Sequence, residues 1–374
     1  MADHNGRVLH VIDHLTTASG VASVVMLCIT GISQFTQDVA VYGQCDTKME
    51  EAIIAAGGKV HKLPDITKSF GKPYRKAFSA LLKDNLYTII HGHLLNAAFI
   101  YLREAKKQGI PNRIIHAHNA VSAELLYKRI RNNILSLGVP LWANRFIAVS
   151  DAAARCAFSK SKKALSKVSI IYNGIDTNRF KYDSLVRDDV RKELGISNDV
   201  LCVGHVGRFA EQKNHSFLID IFYYILKNKH SILLLAGDGS LVDSIKAKVK
   251  SLGISESVRF LGARHDADRI YQAFDVFLLP SLFEGFPLVA VEAQCAGLPC
   301  VISNNVTQEV KCSEHIKFLP LPPGNAETWA NVAIELSNFT RSDGSANVKA
   351  AKLDVTDMCN NILKIYDTSK GAVL

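Results

Sequence analysis

Short, uniformly apolar runs alternate with amphipathic stretches along almost all of this sequence, and that alternation constrains the fold most. RVLHVID (7–13), YTIIH (87–91), NRIIHAH (112–118), RFIAVS (145–150) and VSIIY (168–172) come first. VLCVGHVG (200–207), SILLLAG (231–237), SVRFLG (257–262), DVFLLP (275–280) and LPCVIS (298–303) follow. Strands without a polar face must be covered on both sides, which is the condition of a parallel sheet between helical layers. Stretches 94–107 and 121–136 carry helical periodicity between them. Two successive doubly wound α/β domains are predicted, and 374 residues is a length for two cores rather than one. No repeat of about 20–50 residues is visible, which argues against a solenoid.

The rhythm breaks at the polar stretch NGIDTNRFKYDSLVRDDVRKELG (173–195). The predicted division is therefore 1–178, 179–354 and a terminal segment, 355–374. That segment reads as an amphipathic helix with Val355, Met358, Ile362 and Ile365 on one face, crossing the hinge to pack on the first domain.

Composition excludes several classes. No run of about 18 uncharged apolar residues exists, so no membrane span is expected. Asp3 and Arg7 interrupt the place of a secretory apolar core, so no signal peptide is expected. Eight cysteines show no CxxC spacing and read as reduced thiols of a cytoplasmic protein. The net charge of +9 is uneven: residues 1–178 hold 22 Lys and Arg against 12 Asp and Glu, the remainder 22 against 23. The basic excess clusters at 68–83, 127–131 and 160–167 and points to an anionic partner. No stacking aromatics are interleaved in the pattern of a nucleic-acid module, so nucleic acid is not expected.

Ligands of open α/β sheets gather beyond the C-terminal strand ends, so the strand exits are where chemistry is sought. The first strand leaves through Ser19-Gly20 into a helix, where glycine lets backbone approach an anion. It lacks GxGxxG, which disfavours a nicotinamide dehydrogenase. The run at 200–207 leaves through Arg208 and Lys213, two cations suited to a diphosphate. Gly237-Asp238-Gly239 reads as a structural turn. DVFLLP leaves through SLFEGFPLVAVEAQ, where Gly285 and Pro287 bend into a helix near Leu288 and leave its first amides unpaired. Glu284 precedes that helix. Glu292 lies among apolar neighbours, a costly place for a carboxylate unless it is partnered; the two hydroxyls of a ribose would partner it. His91 and His93, and His116 and His118, each share a strand face. With no third ligand apparent, a polar cleft wall is expected there rather than zinc. Asp266 and Asp268 read as an N-terminal helix cap.

Together these residues resemble the family 4 retaining glycosyltransferases, whose GT-B architecture sets two Rossmann-like domains face to face across a cleft. The carriers are PSLFEGFPLVAVEAQCAGLP with its E-x7-E pair, GHVGRFAEQKNH (204–215), the GDG turn, YNGID (172–176) and IIHAHN (114–119). By SGVASVVM the chain is most similar to bacterial capsule and exopolysaccharide transferases, although Ser19 and Ser23 stand where the commoner loop has Gly and Glu. The resemblance implies a metal-independent, retaining transfer from a nucleotide-sugar, UDP-linked by expectation, to a glycan or polyprenyl-diphosphate-linked acceptor. It assigns Arg208 and Lys213 to the donor diphosphate and Glu292 to the ribose. Glu284 with Gly285 and the amides of Phe286, Pro287 and Leu288 takes the donor sugar and phosphate. Gly20 belongs to the loop that closes on the sugar, and His118 lines the reacting centre. No cofactor and no metal are implied. The basic first half would sit peripherally on the inner face of the cytoplasmic membrane. Within the same architecture, a nucleotide-sugar epimerase or a phosphorylase is the alternative.

Overall fold

A computed structural model describes residues 6–16, 19–118, 138–321 and 326–367. The predicted stretch 121–136 and the basic cluster 127–131 lie outside them. Backbone contacts divide the chain into two units. The first holds the residues up to Asn173 together with those from Val355 onward; the second is Gly174–Asp354.

The first unit is built on a seven-stranded sheet. Its strands are β1 (Arg7–Ile12), β2 (Thr36–Val41), β3 (Val60–Lys62), β4 (Ile89–Gly92), β5 (Asn112–Ala117), β6 (Arg145–Ala148) and β7 (Val168–Ile170). They lie in the order β3-β2-β1-β4-β5-β6-β7, every pair parallel. The second unit repeats the plan with β8 (Leu201–Val206), β9 (Ser231–Ala236), β10 (Val258–Gly262), β11 (Val276–Leu279), β12 (Cys300–Ser303) and β13 (Ile316–Leu319). Their order is β10-β9-β8-β11-β12-β13, again all parallel. Each sheet reverses direction of winding once, between β1 and β4 and between β8 and β11. These are the switch points where such sheets hold ligands.

All ten sequence-predicted strands are present, and three more were not anticipated. β2 (TQDVAV) carries Gln37 and Asp38, both buried, so its apolar pattern is broken by the polar groups it hides. Asp38 is held by Arg7 at 2.8 Å and by the Tyr87 hydroxyl at 2.7 Å. β3 and β13 are short edge strands with a lysine in each, VHK and IKFL, and lack the run length that betrays a central strand.

The helix Val355–Tyr366 packs in the first unit against the helix Gly20–Gly31, with the Cys359 thiol 3.5 Å from the Leu27 carbonyl. Its buried residues are Met358, Cys359, Ile362 and Tyr366. Val355 and Ile365, expected on that face, are only half-buried, because Cys359 and Tyr366 take the inner positions. In the second unit the core gathers Phe217, Leu218, Phe222, Leu233, Val276, Leu278 and Trp329 around β8, β9 and β11. No helix among the described residues is long and apolar enough to cross a membrane.

Candidate functional site

At the β8–β11 switch point the two strand exits are tied directly together. After β8 the chain turns through Gly207 and Arg208 into a short 3-10 turn, Glu211–Lys213, and the helix His215–Asn228. Asn214 sits between them in the left-handed region, φ 54°, which asparagine tolerates better than most residues. Its side-chain amide donates to the Pro280 carbonyl at the β11 exit, 3.2 Å away. The Leu282 N–H donates to Gln212 O at 2.8 Å.

The result is a fixed acid. Lys213 Nζ lies 2.7 Å from Glu284 Oε1, and Gln212 Nε2 donates to Glu284 Oε2 at 3.0 Å and to Phe283 O at 3.0 Å. Both carboxylate oxygens are thus held by residues of the opposite loop. The pair is 14% and 9% exposed on its lysine and glutamate side chains, dry enough for the charge to be felt. Arg208, by contrast, is exposed, and its guanidinium meets no acid among the described residues.

The GDG turn supports this loop from behind. Gly237 (φ 147°) and Gly239 (φ 155°) have backbone angles that favour glycine, and each presses on the Arg208 loop. A Cβ on Gly237 would come 2.0 Å from Gly207 O, and one on Gly239 would come 2.5 Å from Phe209 O. The Phe209 N–H donates to Asp238 O at 2.9 Å. The turn thus sets the course of the Arg208 loop.

Beyond Glu284 the loop reaches the helix Leu288–Cys295 with Pro287 at its N-cap position. Leu288 and Val289 lie in the first turn, where no earlier helical carbonyl exists to take their N–H groups. Pro287 itself has no N–H, so the expected run of amides from Phe286 to Leu288 is interrupted at its centre. Glu292 is half-buried one turn further on. Its Oε2 accepts from the Tyr271 hydroxyl at 2.8 Å, and its other oxygen has no hydrogen-bond partner among the described residues. Burial raises its carboxyl to about 7, against the opposing Tyr271 bond. Tyr271 and Gln212 are the two side chains of this site that the sequence does not announce.

Asp266 stands at the N-cap position of Ala267–Ala273 but does not cap it. Its carboxylate takes Arg264 at 2.8 and 2.6 Å, while Asp268 pairs with Arg179 at 2.6 Å. The expected cap gives way to charge pairing, which is stronger than a neutral N–H bond.

The β1–β4 switch point of the first unit holds a second constellation. Ser19 caps the helix Gly20–Gly31 through the Ala22 N–H at 3.3 Å. Gly20 is exposed, and a Cβ there would meet nothing within 4 Å, so close backbone approach within the protein is not its reason. Parallel pairing sets His10 beside His91, and β4 and β5 run into His93 and His118. Five imidazoles, of His10, His91, His93, His116 and His118, stack with ring centroids 4.1–5.6 Å apart. His10, which its own stretch of sequence does not mark as a candidate, sits 83 positions from its partner His93. It adds a third nitrogen to His91 and His93, and the sequence-named His93, His116 and His118 form a second group of three, each group close enough to share a metal ion. Burial holds His10 down at about 4 and His118 at about 3, with His91, His93 and His116 well below their usual range.

Comparison with known proteins agrees with both halves. The profile of Glycosyltransferase Family 4 matches residues 18–179, and that of Glycosyl transferases group 1 matches residues 186–340. The chain is 32% identical to glycosyltransferase EpsF of Bacillus subtilis, across 81% of this chain and 80% of that one. It is 30% identical to the UDP-Gal:alpha-D-GlcNAc-diphosphoundecaprenol alpha-1,3-galactosyltransferase of Escherichia coli, across 60% of this chain and 59% of that one. Among solved structures, Anabaena HepE in complex with UDP and glucose superposes with a TM-score of 0.82 at 19% identity, covering 97% of this chain and 100% of HepE. That likeness extends the GT-B fold over 97% of the chain.

Proposed function

The chain belongs to glycosyltransferase family 4, and from that premise we propose that it moves a sugar, with retention, from a UDP-sugar to a glycan or lipid-linked glycan in capsule or exopolysaccharide synthesis. The observation that carries the donor side is the Lys213–Glu284 pair, pinned by Gln212 beside an exposed Arg208 that meets no acid among the described residues. Two cations at one strand exit suit a diphosphate, where Arg forks two oxygens and Lys adds a point charge. UDP is favoured by the ligand of HepE and by the donor that the galactosyltransferase name prints. The lipid-linked acceptor is favoured by the diphosphoundecaprenol of that same name, and the capsule by the relative CapH of Staphylococcus aureus, a capsular polysaccharide biosynthesis glycosyltransferase.

In this reading Glu292 takes the ribose hydroxyls on its open oxygen, and Tyr271 holds the other. Glu284, Gly285 and the N–H groups around Leu288 take the donor sugar and its phosphate. The bond between the anomeric carbon and the diphosphate breaks with its electron pair going to the phosphate, whose charge Arg208 and Lys213 stabilise without a metal. The acceptor oxygen bonds the anomeric carbon on the same face, and its proton passes to the departing phosphate. His118 meets a substrate hydroxyl at the reacting centre. Basic residues of the first unit hold the enzyme at the inner face of the membrane.

A thermal-shift screen of nucleotide-sugars tests the donor, because a ligand raises stability by its binding free energy. Incubating the stabilising donor with and without acceptor tests the transfer. Isomerised donor in the absence of acceptor would make the chain an epimerase instead.

A further inference from the structure

A line of hydrogen bonds runs from the first helix to His118 in the histidine cluster. Gln37 Nε2 donates to the carbonyls of Cys28 at 2.8 Å and Ile32 at 2.9 Å, at the C-terminal end of Gly20–Gly31. Two carbonyls can only accept, so they fix which end of the Gln37 amide is nitrogen. Gln37 Oε1 therefore faces His10 Nε2, 2.9 Å away, as an acceptor. His10 Nδ1 faces His93 Nε2 at 3.1 Å, and His93 Nδ1 faces His118 Nε2 at 2.8 Å.

A neutral imidazole has one donor and one acceptor nitrogen, so each contact decides the next. His10 must carry its proton on Nε2, which leaves Nδ1 to accept. His93 must then donate from Nε2 and accept at Nδ1, and His118 must donate from Nε2. Gln37, His10 and His93 are buried, so water does not compete for these positions. Burial also keeps the rings neutral, as the lowered values of His10, His93 and His118 require. What remains is His118 Nδ1, a lone pair with no partner among the described residues.

We propose that Gln37, acting through His10 and His93, is a positioning residue that locks His118 as an Nε2–H tautomer and so presents its Nδ1 as a standing acceptor for a donating hydroxyl of the substrate. The substrate part rests on the glycosyl-transfer reading; the lock does not. The line ends at an amide, which takes no proton under ordinary conditions. It is therefore an orienting device and not a proton wire, in keeping with a reaction whose acceptor proton goes to the departing phosphate.

The test is ring-nitrogen NMR of the full-length, 15N-labelled protein without donor or acceptor. The expected spectrum has pyridine-type Nδ1 and pyrrole-type Nε2 for His10, His93 and His118. It also has nitrogen–nitrogen couplings across the His118–His93 and His93–His10 hydrogen bonds. A proton on Nδ1 of any of the three overturns the proposal, and so does uptake of one equivalent of Zn2+ by the cluster. Free imidazole already leans towards Nε2–H, so Gln37→Met is the discriminating variant. In folded Gln37→Met, and equally in folded His10→Phe, the His118 nitrogen shifts should move towards each other as the second tautomer becomes populated. Unchanged shifts in either folded variant overturn the lock. If both variants fail to fold, the wild-type couplings still decide it. Failure of sugar transfer would overturn the functional reading and leave this result standing.

Discussion

Lys213 reaches across from one strand exit to bind Glu284 on another, 2.7 Å apart, and Gln212 takes the second oxygen of the same carboxylate. A bound diphosphate would find that lysine already fixed in place, so little ordering remains to be done when the donor arrives.

Lys213→Ala and Glu284→Ala should each lower transfer about 100-fold or more, the scale of removing one charge-stabilising group from a reacting centre. Each leaves a mostly buried partner uncompensated, so a stability loss of about 3 kcal/mol is also expected. Far-UV circular dichroism and denaturant titration separate the two effects. Full transfer by either folded variant would remove these roles.

On the proposed reading, Glu292 should make donor binding depend on pH. Its carboxyl sits at about 7, and two ribose hydroxyls donating to it would favour the ionised form. The nucleotide should therefore bind more weakly as pH falls through 7, by about tenfold at one unit below. The sign for the fold is opposite. An acid raised from 4.5 to about 7 is more protonated when folded, so it costs stability as pH rises through that window and adds none above it. Calorimetry with UDP between pH 6 and 8 should show this slope, and Glu292→Gln should flatten it.

Two glycines should behave in opposite ways. Gly237→Ala drives a Cβ into Gly207 O and displaces the Arg208 loop, so it should cost about 2–4 kcal/mol and most of the nucleotide affinity. Gly20→Ala enters open space at a helix start and should change stability by less than about 0.5 kcal/mol. A stable, UDP-binding Gly237→Ala would refute the support assigned to the GDG turn.

The helix Lys72–Asp84 buries Tyr74, Phe78, Leu81 and Leu82 and exposes Lys72, Arg75, Lys76 and Lys83, with Leu86 91% exposed just beyond it. At about 1 kcal/mol per cation, replacing all four by glutamine should weaken co-sedimentation with anionic vesicles at least tenfold at low salt. Equal sedimentation of variant and wild type would exclude this surface.

On the proposed reading, in which Arg208 and Lys213 meet the leaving-group charge, removing divalent metal by chelation should leave the transfer rate unchanged. A rate restored only by added metal would contradict that assignment.

What the sequence disclosed and what it hid follow from range. Glu284, the Arg208–Lys213 loop and the GDG turn each lie soon after a strand end, and Glu292 follows Glu284 on the next helix, so local pattern exposes them. The partners do not. Gln212 reaches Glu284 across 72 positions and Tyr271 reaches Glu292 across 21, and neither residue type announces its partner. His10 lies inside RVLHVID, where a lone histidine looks like a core substitution until parallel pairing puts it beside His91. Asp266 and Asp268 had the local look of a cap, but Arg264 and Arg179 offered more. Local chemistry was legible; register was not.

The Tyr366 hydroxyl, buried and 2.7 Å from His91 Nδ1, stitches the late helix Val355–Tyr366 to the strand β4 laid down far earlier. During synthesis the Tyr366 contact to the histidine layer cannot form until the whole of Gly174–Asp354 has emerged. A chain ending at Asp354 would carry the whole of the second unit attached to a first unit that lacks its last helix. Chaperones and proteases should recognise such a chain by the apolar flank of Gly20–Gly31.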